Sequence, residues 1–586
     1  AYFYWFSPTP ATAPVQKTPV VQTAPADTTF RVAPVSDSVL AKQYGNLSAA
    51  FNGEEKLTTI ETNDVVALFS TKGGVIKSLT LTHFKTYTQQ PLELIAPTSC
   101  AFNLITQYQG RELDLYNLYY QSSQQKVGDS TVLSFTLQSP DGSGFTQTYT
   151  IPDNGYQIGY RLSSKGLNEQ LTGDNLNLKW VDVIRPIEKD LADMRINSTI
   201  TYYHNNGFDE LNARSTDTET ENFGNTLKWV SVKEKFFLTA ITAKNNFGGG
   251  QIETSVNASD SSVVKRANIS LLIPRSQLAE GKASFSFYVG PNDYQTIGDV
   301  APDFKKNVYL GWPPVYWINK YVIFPVFHLL TKFINNYGLI IIILVILLKL
   351  VLAPLSYKSY LSMAKMKVLK PELDEIKEKH GDDMAKVQQE QLKLYQQVGV
   401  NPISGCVPVL LQMPILFAMF YLFPASIELR QQPFLWAEDL STYDSIITFP
   451  FAFPFLGNHL SLFTVLMTIS TLVYTWQNNQ LSSVQGPMKA MSYIMPVIFL
   501  FVLNSFSAGL TFYYFVSNLV TFAQQAIIRR FVDDDKIKLV MEENRKKIAA
   551  GGTAGKSKFM NKLQEAMKAS EEARRRADEE RKTRKK

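Results

Sequence analysis

The run 338–355, "GLIIIILVILLKLVLAPL", decides the architecture: one lysine is its only polar side chain. Eighteen such residues are close to the shortest helix that crosses a bilayer's hydrocarbon core. Lys349 stands two turns before its end. A lysine at the middle of a bilayer costs roughly 2.5–3.5 kcal/mol on insertion scales. Such a side chain either faces a polar cavity or lifts its ammonium along the stem toward the headgroups.

Four further apolar runs follow, at 405–427, 459–478, 490–506 and 510–528, so five spans are expected. Ser507-Ala508-Gly509 is too short for anything but a helical hairpin between the last two. Eight lysines lie between 356 and 403, whereas 430–457 carries Arg430 alone against Glu438, Asp439 and Asp444. The first loop is therefore expected in the cytoplasm and the second outside. Counting spans back places the N-terminal half outside, and counting forward places the C-terminus inside. The core is read as 337–530.

The loop 356–403 is itself helical by pattern. Met363, Met366, Leu369, Leu373 and Ile376 recur at helical spacing, and Gly381-Asp382-Asp383 reads as the turn of a helical hairpin. Its methionines suit either an adaptable contact face or the packing of the hairpin on itself. Residues 309–336 read as an amphipathic helix on the outer surface. Trp317, Phe324 and Phe327 oppose a stripe of Lys320, His328, Thr331 and Lys332.

Before the core the pattern changes. Over 49–308 short alternating runs are broken by Gly, Asn and Asp clusters, as at 65–70, 75–82 and 132–137. "TKGGVIKSLTL" places a turn at Gly73-Gly74 between two strands. A two-layer antiparallel sandwich is the economical arrangement. The fold class is thus a multi-domain membrane protein: an external all-β sandwich domain and an α-helical transmembrane core with a cytoplasmic helical hairpin. Residues 7–48, rich in Pro, Thr, Ala and Val, read as a flexible linker. Residues 1–6 read as the possible remnant of a signal-anchor helix. Residues 531–586 read as a basic cytoplasmic tail.

Composition excludes several chemistries. Two cysteines, Cys100 and Cys406, in unlike segments rule out a disulfide framework or a cysteine metal site. Five histidines show no metal-ligand spacing. No phosphate loop and no catalytic constellation stands out, so no cofactor, metal or catalytic residue is expected. What remains is polar side chains inside spans. Gln412, Gln477, Asn504, Ser505 and Asn518, with Gln524 and Gln525, accompany Lys349, and none is a carboxylate. Together they suggest a hydrated groove open to the cytoplasm, although each amide alone also suits bridging between helices. A transporter or lipid scramblase would use the same groove. A membrane enzyme with Lys349 as base lacks a nucleophile.

The core also resembles the YidC/Oxa/Alb insertase family. The resemblance rests on the basic residue before "PL", "SMAKM", "VNPISGCVPVLLQMPI", "IELRQQPF", "IMPVIF" and "GLTFYYFVSNLVTFAQQ", in that order. "TKGGVIKSLTL" resembles the opening of the periplasmic domain of Gram-negative members. The resemblance implies insertion and folding of nascent inner-membrane proteins, alone or with the Sec translocon, often from a translating ribosome and without covalent chemistry. It implies residence in the bacterial inner membrane with the large domain in the periplasm. It matches Lys349 to a groove residue that is usually arginine, Tyr513 and Tyr514 to a substrate-contacting pair, and Gln412 and Gln477 to the amide lining. Ser505 stands where an aromatic is common. The basic tail suits either the ribosome or anionic lipid.

Overall fold

From residue 57 to 291 strand after strand turns alternate side chains inward, the period of a half-buried sheet. The structure, a computed structural model of the chain, describes residues 37–140, 142–167, 170–381, 384–398, 400, 407–481 and 487–549. Its β domain holds a nine-stranded sheet centred on Phe237–Ala243, Ser284–Pro291 and Gln157–Lys165, and a six-stranded sheet centred on Lys265–Pro274 and Asn175–Ile184. All of these pairings are antiparallel. The inner faces share one core. Phe102 of one sheet meets Phe287 of the other edge-on at 6.1 Å.

A four-stranded sheet (Leu57–Glu61, Val65–Ser70, Val75–Lys85, Pro91–Ile95) packs beside the sandwich. Its Gly73-Gly74 turn lies where the sequence places it. Both residues have positive φ, and a Cβ on Gly74 would sit 2.9 Å from Phe135. Both carbonyls of the turn are satisfied from the nine-stranded sheet: Gln147 Nε2 donates to Gly73 O at 2.7 Å and Tyr149 Oη to Gly74 O at 2.9 Å.

The end of the expected linker is not extended. Asp37–Tyr44 is helical and Gly45–Phe51 is a 3₁₀ turn, because Leu40 and Leu47 bury themselves. Residues 1–36, Asp382, Asp383, Cys406 and 550–586, and with them the anchor remnant, most of the linker, part of the hairpin turn and the end of the tail, lie outside the described residues.

The surface segment is two short helices, Pro313–Ile318 and Phe324–Thr331, joined by a π turn, Asn319–Ile323. The turn has a cause: buried Asn319 donates to Leu310 O at 2.9 Å and Ala418 O at 3.1 Å. Trp312, Trp317, Tyr321, Leu329 and Phe333 remain exposed.

The core comprises α1 (Tyr337–Val351), α2 (Ala353–Val368), α3 (Lys370–His380), α4 (Met384–Val398), α5 (Val407–Ala425), α6 (Leu462–Leu481), α7 (Pro487–Leu503), α8 (Ala508–Phe531) and α9 (Asp534–Ala549). The decisive run is not one straight helix. α1 ends at Val351, and α2 leaves at 64°. Pro354 is the cause: it has no amide proton to give and its ring excludes the carbonyl four residues back. Among the described residues no single helix is long and apolar enough to cross a membrane by itself, while the bent α1–α2 pair passes that test together. α8 has the length, but its inward face carries Ser517, Asn518, Thr521, Gln524 and Gln525.

Two elements are unannounced by sequence pattern. The first is a β-hairpin, Ile447–Phe453 with Gly457–Leu460, in the loop before α6. The second is α9, which docks on the helical hairpin. Ile537 and Met541 pack with Met366, Leu373, Leu394, Tyr395 and Val398, and Met363 lies at the edge of this cluster. Met366 is therefore spent on packing. Gly381 ends the described part of the turn.

A buried ion pair clasps the two halves. Arg430, from the segment after α5, enters the β domain. Its Nε donates to Glu188 Oε1 at 2.7 Å, its Nη2 to Lys85 O at 2.6 Å, and its guanidinium lies 5.0 Å from the Phe237 ring centre. The side chains of Arg430 and Glu188 are 3% and 10% exposed. Burial pushes the Glu188 carboxyl up and Arg430 works against it. Removing one member of a buried pair strands the other charge, at a cost of about 3–5 kcal/mol. Glu188→Leu is accordingly expected to lower the unfolding temperature of the full chain in detergent. Glu188→Leu with Arg430→Met should recover most of the loss, and an unchanged melt for the single variant would show that the clasp does not hold.

Candidate functional site

Lys349 lies in the last turn of α1 and is 8% exposed. An amine in that position needs oxygen, and two neighbouring helices supply it. Nζ donates to Gln412 Oε1 on α5 at 3.1 Å and to Thr521 Oγ1 on α8 at 2.9 Å. Gln412 in turn donates to Ser517 Oγ at 3.2 Å, and Thr521 Oγ1 to Ser517 O at 2.7 Å. Gln524 reaches Lys349 O at 3.4 Å. Both partners of the ammonium are neutral, and among the described residues no carboxylate pairs with it. α1, α5 and α8 thus meet around one positive charge held by oxygens that can let it go.

The geometry follows from spacing. Ser517, Thr521 and Gln524 stand at i, i+4 and i+7, one face of α8. Its hydroxyls carry no signal alone. The usable signal is Ser and Thr in register with Gln524 and Gln525 on an otherwise apolar helix.

The other expected groove residues scatter. Asn518 bridges α8 to α6, donating to Ser470 Oγ at 2.9 Å and Thr471 Oγ1 at 3.0 Å. Tyr513 is buried against Phe423 of α5 at 5.7 Å, and Tyr514 beside it is half-buried. Gln477 is half-buried on α6, outside the Lys349 network. Asn504 is fully buried and spent on backbone. It donates to Leu456 O at 2.9 Å and His459 O at 2.7 Å and accepts from Ser461 N at 2.9 Å. It closes the β-domain end of the core and does not line a path from Lys349. Ser505, next to it, is exposed and lines a cavity of about 590 Å³ between the core and the β domain, with Phe420, Tyr421 and Tyr309.

The same end of the core is braced by Asp444. It accepts from Ser461 Oγ at 2.5 Å, Leu462 N at 2.8 Å and Phe463 N at 3.1 Å, capping α6, and from Trp436 Nε1 at 2.9 Å. Cys100 is buried in the β domain as a free thiol. Among the described residues no group of three or more His, Cys, Asp or Glu could hold a metal.

Comparison with known proteins assigns both halves. Residues 57–325 match the family described as the YidC periplasmic domain, and residues 329–536 match the 60Kd inner membrane protein family. The membrane protein insertase YidC of Cytophaga hutchinsonii is 45% identical over 97% of this chain and 95% of its own length. That of Amoebophilus asiaticus is 42% identical over 91% of this chain and 90% of its own. A crystal structure of an active YidC insertase with its first transmembrane domain resolved aligns with 80% of this chain and 92% of its own, at 19% identity and a TM-score of 0.33. With both halves matched in order and relatives of nearly full length, this chain belongs to the YidC family of membrane protein insertases.

Proposed function

We propose that this membrane insertase starts each insertion at the Lys349 network, in a hydrated groove between α1, α5 and α8. The carrying observation is a buried ammonium whose partners among the described residues are neutral. A cation already paired with a carboxylate would have nothing to offer a client. One held by an amide and a hydroxyl can exchange them for an acidic or polar residue of an entering chain. Few interactions need breaking for that exchange, and the client's polar segment is solvated part-way across. Its apolar residues then leave sideways into lipid, driven by about 25 cal/mol per Å2 of apolar surface removed from water.

In this reading the lysine-rich segment of α2–α4 faces the cytoplasm and the β domain faces the periplasm of a bacterial inner membrane, as the loop charges direct. Five spans cross the bilayer in this chain. Tyr513, Tyr514, Gln412 and Gln477 contact passing clients. The client classes are nascent inner-membrane proteins, taken alone or alongside the Sec translocon. Residues 556–586 carry twelve basic against six acidic side chains and meet ribosomal phosphate or anionic lipid headgroups.

Two outcomes test the proposal. In proteoliposomes, Lys349→Ala should cut insertion of clients with short acidic external tails by about tenfold, the factor that roughly 1.4 kcal/mol of lost pairing gives. Lys349→Arg should stay close to wild type, since the charge persists. Protease protection of the client reads both. Wild-type insertion of every client by the Ala variant would remove the charge from the mechanism.

Ending the chain after Ala549 keeps α9 docked and removes only the basic extension. Co-sedimentation with ribosomes in detergent should then fall, and the full chain's binding should weaken steeply as salt rises. Equal sedimentation by both forms would leave lipid as the partner of the extension.

A further inference from the structure

Among the described residues the hairpin Ile447–Phe453/Gly457–Leu460 pairs with no other sheet. Its ladder is broken between Thr448 and Phe453, where Pro450 also removes an amide donor. Its first strand is exposed on both faces. Phe451 is 59% exposed, and Phe455, at the turn, 89%. The rings touch chiefly one another: Phe449 and Phe453 are 4.9 Å apart, Phe451 and Phe453 4.7 Å. A lone two-stranded hairpin is marginal in water, and one with bare phenylalanines along its strand and at its turn needs an apolar environment around it.

Three features identify that environment. No Asp, Glu, Lys or Arg occurs from Ser445 to Met488, so the hairpin and α6 form one uncharged stretch. α6 begins two residues after the hairpin and exposes Ile469, Val473 and Trp476 along one face, the arrangement of a lipid-facing helix. The base of the hairpin is pinned to the core by Asn504 and capped through Asp444, so its position relative to α6 is set. A protein partner would be expected to leave a polar rim around an apolar centre, and the projecting strand has none. The unpaired backbone at the ladder break cannot enter dry hydrocarbon. That limits the depth to the boundary between headgroups and acyl chains, where aromatic side chains settle about 5–10 Å in.

We propose that residues 447–460 are a lipid-seated finger, with Phe451, Phe453 and Phe455 inserted at the phospholipid headgroup–acyl boundary beside the start of α6. Which leaflet it enters rests on the orientation proposed above; the contact with phospholipid does not.

The test uses the full chain in vesicles of phosphatidylethanolamine and phosphatidylglycerol, with no client present, so that a failure of the insertion mechanism leaves it unaffected. Benzoylphenylalanine is placed at Phe451 or Phe455, at Ile469 on the exposed face of α6, and at Val127 on an exposed edge of the β domain. Labelled proteins are used only if they unfold at the wild-type temperature. After irradiation, mass spectrometry should find phospholipid adducts at 451 and 455 in yields within about threefold of that at 469. Val127 should give none. Adducts at 469 with none at 451 and 455, or cross-links from the finger to a second copy of the chain, would overturn the proposal.

Discussion

A charge placed in an apolar helix has to be solvated by the protein around it, and the arrangement of the core follows from how that is done. Lys349 draws α5 and α8 to α1 through one amide and one hydroxyl. Those helices must then present polar side chains inward, which is why α8 carries Ser517, Thr521 and Gln524 on one face. Its hydroxyls also return bonds to their own backbone, as Thr521 does to Ser517 O. The network is thereby satisfied without a counter-charge. A carboxylate in the place of Gln412 would make a stronger pair and leave the ammonium less free to exchange partners.

At the opposite end the polar accounting is backbone-directed. Asn504 and Asp444 close the start of α6 and the α7–α8 turn, and Gly509 N donates to Leu440 O at 2.8 Å. Arg430 then fastens this end to the sandwich. Lys235 adds a bond to Ser441 O at 3.3 Å from the β domain, and Gln431 reaches Lys85 O and Thr86 O. The β domain is held to the segment that braces α6 and α8, so the two halves share a joint.

How much of this can be read from the chain depends on which side chains signal alone. Lys349 does, because a lone charge in an apolar run has few uses. The Gly73-Gly74 turn does, because only glycine accepts those angles without cost. The hydroxyl face of α8 does not: Ser and Thr are ordinary in such helices. Asn504 misleads, since its position along the chain does not show whether an amide turns to a neighbouring helix or to a loop carbonyl. Pro354 marks where the apolar run ends and does not show the 64° turn that follows. The finger's phenylalanines recur at every second position, but Pro450 and Ala452 between them give no polar face to mark a strand. In α9 the spaced pair Ile537 and Met541 is lost among charges.

The shortness of α1 has a consequence for the bilayer itself. Fifteen residues rise about 22 Å, against a hydrocarbon core of ~30 Å. Lipid beside a helix that falls short compresses to meet it, at a fraction of a kcal/mol for each Å. A bilayer that met α1 alone, without the first turns of α2, would be thinned beside the Lys349 network by hydrophobic mismatch. A client starting there would have less oil to cross. Insertion at that place would then be partly an elastic problem, its barrier set by how far lipid deforms to meet a kinked helix.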